Sequence, residues 1–98
     1  MRTKHPAVYI LASKRNGTLY IGVTSDLAGR ISIHKQDIID GFTKRYGVHI
    51  LVHYEFYDTM PEAIAREKQL KKFLRAKKIA LIETRNPGWH DLYEEIQN

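Results

Sequence analysis

Hydrophobic residues fall along this chain in short runs and in stripes of helical spacing. AVYILA (7–12) and TLYIGV (18–23) are nearly unbroken apolar runs rich in β-branched and aromatic residues. Asn16-Gly17 lies between them, and because both residues accept positive φ, the pair predicts a hairpin with a two-residue turn. Thr24-Ser25-Asp26 then supplies N-cap candidates for a helix running from Asp26 to about Asp40, closed by Gly41. HILVHYEF (49–56) reads as a third strand. Asp58-Thr59-Met60-Pro61 opens a second helix through about Leu74, with Pro61 suited to the first turn. RAKKIALIET (75–84) predicts a further short helix stopped by Asn86-Pro87-Gly88, and WHDLYEEIQN leaves room for one last turn. The order β-β-α-β-α-α is that of an α+β domain with a small, largely antiparallel sheet. Ninety-eight residues suffice for one core and not for two, so residues 1–98 read as a single domain.

Polar residues interrupt these apolar patterns at three places. On the first helix the stripe runs Leu27, Ile31, Ile38, yet His34 stands on it with Arg30 one turn back. On the second helix Met60, Ala63, Glu67, Leu70 and Leu74 follow one another at steps of three and four, with Glu67 at the centre. A carboxylate on a buried stripe needs a partner, because an unpaired one costs several kcal/mol; a basic side chain or a metal ion would serve. In the hairpin, a two-residue turn pairs positions whose numbers sum to about 33. Tyr9, Leu11, Tyr20 and Gly22 then share one sheet face, with Gly22 opposite Leu11 and diagonal to Tyr9. The glycine leaves room for something to approach the sheet there.

Charge sharpens the picture. The net charge is +5, and residues 66–78, REKQLKKFLRAKK, hold seven of the sixteen Lys/Arg and one of the eleven Asp/Glu. The rest of the chain is left with nine basic and ten acidic residues, so the positive excess is confined to one segment. A focused patch of this kind attracts a polyanion, most often a nucleic acid. The chain has no cysteine, which excludes disulfides, thiolate metal sites and a cysteine nucleophile. No apolar run approaches the ~18 residues of a membrane span, and MRTKHPAVYI lacks the apolar stretch of a signal peptide. The expectation is a cytoplasmic protein with no membrane attachment.

An acid ligand, a guanidinium, an imidazole and phenols beside a basic helix suit phosphodiester hydrolysis. Mg²⁺ takes oxygen ligands and often only one or two carboxylates, filling its shell with water and phosphate. A guanidinium stabilises charge developing on phosphoryl oxygens, and a general base must deprotonate the attacking water. Glu67 is the lone acid of this set, which predicts one ion, Mg²⁺ or Mn²⁺, weakly bound without DNA.

Ala7-Val8-Tyr9, then Tyr20-Ile21-Gly22, then Arg30, His34, Glu67 and Asn86, resemble the GIY-YIG nuclease superfamily over nearly the whole chain. YIGVTSDL, GFTKRYGVHILVHYE, AIAREKQLKK and LIETRNPGWHDLY look closest to its small stand-alone bacterial group. The resemblance implies a three-stranded antiparallel sheet flanked by helices and divalent-metal-dependent DNA cleavage. It makes Tyr9 and Tyr20 the motif tyrosines, one of them the general base, with Tyr9 preferred because Gly22 clears space beside it. It also makes Arg30 the stabiliser of the transition state, His34 the aid to a tyrosine, Glu67 the metal ligand and Asn86 a support of the site. The first triplet is AVY rather than GIY, which keeps the tyrosine. Gly29, inside the helix just before Arg30, costs roughly 1 kcal/mol relative to Ala.

The function expected is a DNA endonuclease of low sequence specificity, structure-selective in DNA repair or processing, since no separate DNA-targeting domain accompanies the motifs. Lys35, Lys44, Lys68, Lys71, Lys72, Arg75, Lys77 and Lys78 are the expected nucleic-acid contacts. DNA is the expected partner, RNA a second candidate, and no obligate protein partner is implied. The alternatives are a non-catalytic or weakly active nucleic-acid-binding module using residues 66–78, and a protein-interaction domain whose basic helix meets an acidic partner.

Overall fold

In the computed structural model, which describes residues 5–36 and 41–97, each expected strand and helix is present, though some end elsewhere than expected. Strands β1 (Ala7–Ala12) and β2 (Leu19–Thr24) are followed by helices α1 (Leu27–Lys35) and α2 (Phe42–Tyr46), and then by strand β3 (Ile50–Phe56). Helices α3 (Met60–Lys72) and α4 (Arg75–Arg85) and a 3₁₀ turn (Leu92–Ile96) complete the chain. The three strands form one antiparallel sheet in the order β2-β1-β3. This is the α+β fold with a small three-stranded antiparallel sheet flanked by helices. No helix among the described residues is long and apolar enough to cross a membrane.

β1 is central and buried along its whole length. That is why AVYILA reads as a continuous apolar run: neither of its faces meets water. Val8, Ile10 and Ala12 point to one side, where they pack with Ile21, Val52, Ala63 and Leu70 of α3, Ile82 of α4 and Trp89. Ala7, Tyr9 and Leu11 point to the other side, against Leu27 and Ile31 of α1, Val48, Leu51 and the 3₁₀ turn. The sheet thus separates α3 and α4 from α1.

The hairpin differs in register from the expectation. Tyr9 pairs with Gly22 and Leu11 with Tyr20, so paired positions sum to 31. The connection is longer than two residues because Ser13 organises it. The Ser13 N–H donates to the Thr18 carbonyl, the Thr18 N–H donates to Ser13 Oγ, and the Gly17 N–H donates to the Lys14 carbonyl. Asn16 alone of the Asn-Gly pair takes positive φ, at 58°. A slip of two preserves parity, so Tyr9, Leu11, Tyr20 and Gly22 still share a face. What changes is the neighbour: Gly22 lies directly across from Tyr9.

Helix ends also moved. α1 is capped by Asp26, whose carboxylate accepts from the Gly29 N–H. A Cβ on Gly29 would lie 2.4 Å from Asp26 Oδ2, which explains a glycine in this first turn. α1 ends at Lys35 rather than about Asp40; Ile38 and Asp40 themselves lie outside the described residues. α3 begins in a capping box formed by Thr59 and Glu62, with Pro61 in its first turn. It stops two residues short of Leu74, which has extended backbone and is 81% exposed, so Leu74 leaves the buried stripe. Phe73 turns inward instead, with Arg66 and Lys77 over its ring. Arg75 starts α4 and donates from Nη2 to the carbonyls of Asn16 and Gly17, each 2.7 Å away.

Glu55 on β3 gathers a second polar cluster. Its carboxylate accepts from Arg66 Nε and Nη2 and from the Tyr57 hydroxyl, and lies 2.8 Å from His53 Nε2. Burial pushes the Glu55 carboxyl up, but the hydrogen bonds of His53, Arg66 and Tyr57 and the charge of Arg66 prevail and hold it well below the usual carboxylate range. Its folded-state pKa is therefore depressed. Its contribution is present above the unfolded value of about 4.3 and is lost as pH falls below that. Thermal melts from neutral pH down to about pH 3 should show the melting temperature of Glu55→Gln falling less steeply than that of the unaltered protein.

Candidate active site

The Tyr9 ring leans over Gly22. A Cβ at Gly22 would sit 2.4 Å from both Cζ and the hydroxyl oxygen of Tyr9, so only a glycine lets the ring lie across β2. The space cleared by the glycine is thus filled by the tyrosine itself. In this pose the Tyr9 hydroxyl reaches His34 Nε2 on α1 at 3.0 Å. His34 is buried, and its other nitrogen, Nδ1, lies 3.0 Å from Thr43 Oγ1 on α2. Tyr20 completes the aromatic group, with its ring centroid 6.3 Å from Tyr9 and 5.6 Å from His34. An imidazole stands on the apolar stripe of α1 because it meets a phenol at one nitrogen and a threonine at the other.

The charged members are arranged around this group. Arg30 is exposed, one turn before His34, and its charge acts on both Tyr9 and His34. Glu67 comes from α3, on the far side of the sheet, yet its charge also reaches Tyr9. Its side chain is only 16% exposed, and Lys71 Nζ stands 3.4 Å from the carboxylate. Tyr9, Tyr20 and His34 thus pack together, Arg30 stands one turn from His34, and Glu67 acts on Tyr9 through its charge.

The titration of the central pair is set by burial. Burial pushes the Tyr9 hydroxyl well above its ordinary 10; Tyr20 adds to this, Arg30 opposes it and Glu67 adds again. Burial, then Arg30, then His49 push His34 below its ordinary 6.5. At neutral pH the phenol keeps its proton and the imidazole is neutral. Tyr9 can take a proton from water only by passing its own to an acceptor, and His34 Nε2 is in place to receive it.

Asn86 lies elsewhere. It caps α4, its amide donates to the carbonyls of Val52 and His90, and its oxygen accepts from the His90 N–H. It fastens the 86–90 segment to β3. The basic residues also divide. Lys35 is tied to the His49 carbonyl, to Asp91 and to the Tyr93 ring, and Arg75 holds the hairpin turn. Lys44, Lys68, Lys72 and Lys77 are exposed, whereas Lys71 and Lys78 line a groove with Leu19, Tyr20 and Ile21. That groove joins the basic segment to the tyrosine group. Thr43 escaped the sequence reading. A buried histidine advertises that both ring nitrogens need partners, but nothing in GFTKRYG marks which residue is the second.

A tyrosine pair, an arginine and a histidine on the first helix, and a glutamate on the helix after the third strand are the residues on which the resemblance to the GIY-YIG superfamily rests. The family of the GIY-YIG catalytic domain matches residues 5–80, and the chain belongs to it. Nuclease activity is the family's chemistry. Among its relatives are UPF0213 proteins of Staphylococcus aureus strains Mu3 and N315. Each is 39% identical over 79 residues, covering 80% of this chain and 94% of the relative. A solution NMR structure of a UPF0213 protein from Bacillus halodurans shares the fold, with a TM-score of 0.56 and 28% identity over 89% of this chain and 92% of that one.

The dependence of Tyr9 on Gly22 is measurable. Gly22→Ala should destabilise the protein by about 1–3 kcal/mol in urea unfolding, because the ring must move or strain. In a Tyr9→Ala background the same substitution should cost far less, giving a clear coupling between the two positions. Equal costs in both backgrounds would mean that the ring does not rest on the glycine.

Proposed function

We propose that this protein is a divalent-cation-dependent DNA endonuclease of low sequence specificity, acting in the repair or processing of DNA. The observation that carries the proposal is the Tyr9–His34 hydrogen bond with Arg30 and Glu67 charged around it. A module that only bound nucleic acid would need the lysines but not a phenol bonded to a buried neutral imidazole.

Each residue has a separate task. Tyr9 accepts a proton from the attacking water as its own proton passes to His34. Arg30 presents a planar fork to the phosphoryl oxygens, where charge accumulates during in-line attack. Glu67 would hold the cation. Among the described residues no group of three or more His, Cys, Asp or Glu forms a metal cage, and a single mostly buried carboxylate fits Mg²⁺ or Mn²⁺, which keep several waters and take phosphate oxygens as ligands. When bound, such an ion supplies charge neutralisation at the scissile phosphate. Lys71, the ion-pair partner of Glu67, is itself largely exposed and can give way to the cation. Lys68, Lys71, Lys72, Lys77 and Lys78 would hold phosphates, and lysine–phosphate contacts carry no base information. That supports low sequence specificity.

Supercoiled plasmid is the direct substrate for a test. Relaxation and linearisation should occur with Mg²⁺ or Mn²⁺ and stop with EDTA; no cleavage with either ion would overturn the proposal. Glu67→Gln should abolish cleavage while leaving the affinity for DNA within about twofold, since a phosphate-held complex rests on the lysines. Arg30→Lys keeps the charge but loses the fork, and should lose most of the activity while remaining folded. The pH profile carries its own sign. Activity depends on neutral His34, whose pKa is depressed by burial, Arg30 and His49. The rise with pH should therefore be centred below the ordinary 6.5, and His34→Ala should remove it from whatever activity survives.

A further inference from the structure

We propose that Thr43 is a positioning residue that fixes the tautomer of His34, keeping the ring hydrogen on Nδ1 and the Nε2 lone pair toward Tyr9. The inference rests on the reading of Tyr9 as the base, and it adds a residue from an element the sequence does not announce.

Among the described residues, the Tyr9 hydroxyl has one hydrogen-bond partner, His34 Nε2 at 3.0 Å. A buried phenol places its hydrogen on the available acceptor, since an unpaired buried donor is costly. Nε2 must then offer a lone pair, and a neutral imidazole with a bare Nε2 carries its hydrogen on Nδ1. That hydrogen needs an acceptor in turn, and Thr43 Oγ1 stands 3.0 Å away. Thr43 is itself buried and held in place. It belongs to a five-residue helix between Gly41 at φ 133° and Gly47 at φ 62°, and its carbonyl accepts from the Val48 N–H at 2.9 Å.

When the Tyr9 proton passes to Nε2, the ring becomes an imidazolium with hydrogen on both nitrogens. The Thr43 oxygen already accepts from Nδ1, so nothing there must reorganise. With valine at this position the Nδ1 hydrogen would face an isosteric methyl. Either tautomer then leaves one buried donor without an acceptor, Nδ1–H in one and the Tyr9 O–H in the other, so the preference set by Thr43 is lost and the Nε2–H form becomes populated. That tautomer cannot receive the Tyr9 proton.

The ring nitrogens report this directly. Long-range ¹H–¹⁵N spectra of the free protein distinguish a protonated Nδ1 from a protonated Nε2, and a His34→Asn variant assigns the signal among the five histidines. The unaltered protein should show His34 with hydrogen on Nδ1. Thr43→Val should populate the Nε2–H form alongside it, and Thr43→Ser should restore Nδ1–H. In plasmid cleavage Thr43→Val should lose at least about tenfold, as expected when a general base loses its proton acceptor, and Thr43→Ser should recover most of that loss. An unaltered protein with hydrogen on Nε2, or a Thr43→Val variant whose His34 signals match the unaltered protein, would overturn the inference. A protein with the expected tautomers that cuts no DNA would instead fail the endonuclease reading, because the spectra need neither DNA nor metal.

Discussion

A hydroxyl group on a strand buried on both faces has to find its partner inside the protein, and this constraint organises the rest. β1 runs through the middle of the sheet with α3 and α4 on one side and α1 on the other. The Tyr9 side chain is almost wholly covered there. Its ring therefore crosses to β2 over Gly22 and its hydroxyl meets His34. The bond requires α1 to present an imidazole on its inner face and requires a residue at 22 with no side chain. It also requires the Thr43 contact on the other side of the imidazole. Removing any one of these leaves a polar atom buried without a partner.

The same burial gives the group its chemical character. Around an exposed pair of rings, water would screen Arg30 and Glu67 and leave both pKa values near their ordinary positions. In the interior, their charges act over longer distances and the neutral forms are favoured. A phenol that resists ionisation and an imidazole that resists protonation are each poor at acid–base work alone. In the proposed mechanism the bonded pair divides it, the phenol facing the reactant and the imidazole receiving the proton.

Much of this was legible in the residues, and the failures have physical causes. Strands and long helices announce themselves through runs and stripes of five residues or more, so β1, β3, α3 and α4 are evident from pattern. α2 is not, because five residues make little more than one turn and cannot display a period. The hairpin register went astray because Asn-Gly is a strong local signal, while the Ser13 hydroxyl that widens the turn acts through a contact five residues away. The face assignment survived, since sheet parity tolerates an even slip. His34, Arg30 and Glu67 were visible as polar residues in apolar stripes. Asn86 was not readable in the same way: its amide is fully occupied by Val52 and His90 carbonyls, a local fastening that composition and spacing do not distinguish from a role in the site.

The guanidinium of Arg75 has a consequence for the whole basic segment. Lysine-rich surfaces usually rest on side chains and helices that sample many orientations, and a polyanion that binds them must suppress that freedom. Here the first residue of α4 donates to two backbone carbonyls of the β1–β2 turn, so the helix carrying Lys77 and Lys78 is tied to the hairpin carrying Tyr9 and Tyr20. The distance between the cationic surface and the phenols is then a property of the fold rather than of the complex. In the proposed function, a nucleic-acid backbone held by the lysines would meet the tyrosines with less ordering left to do.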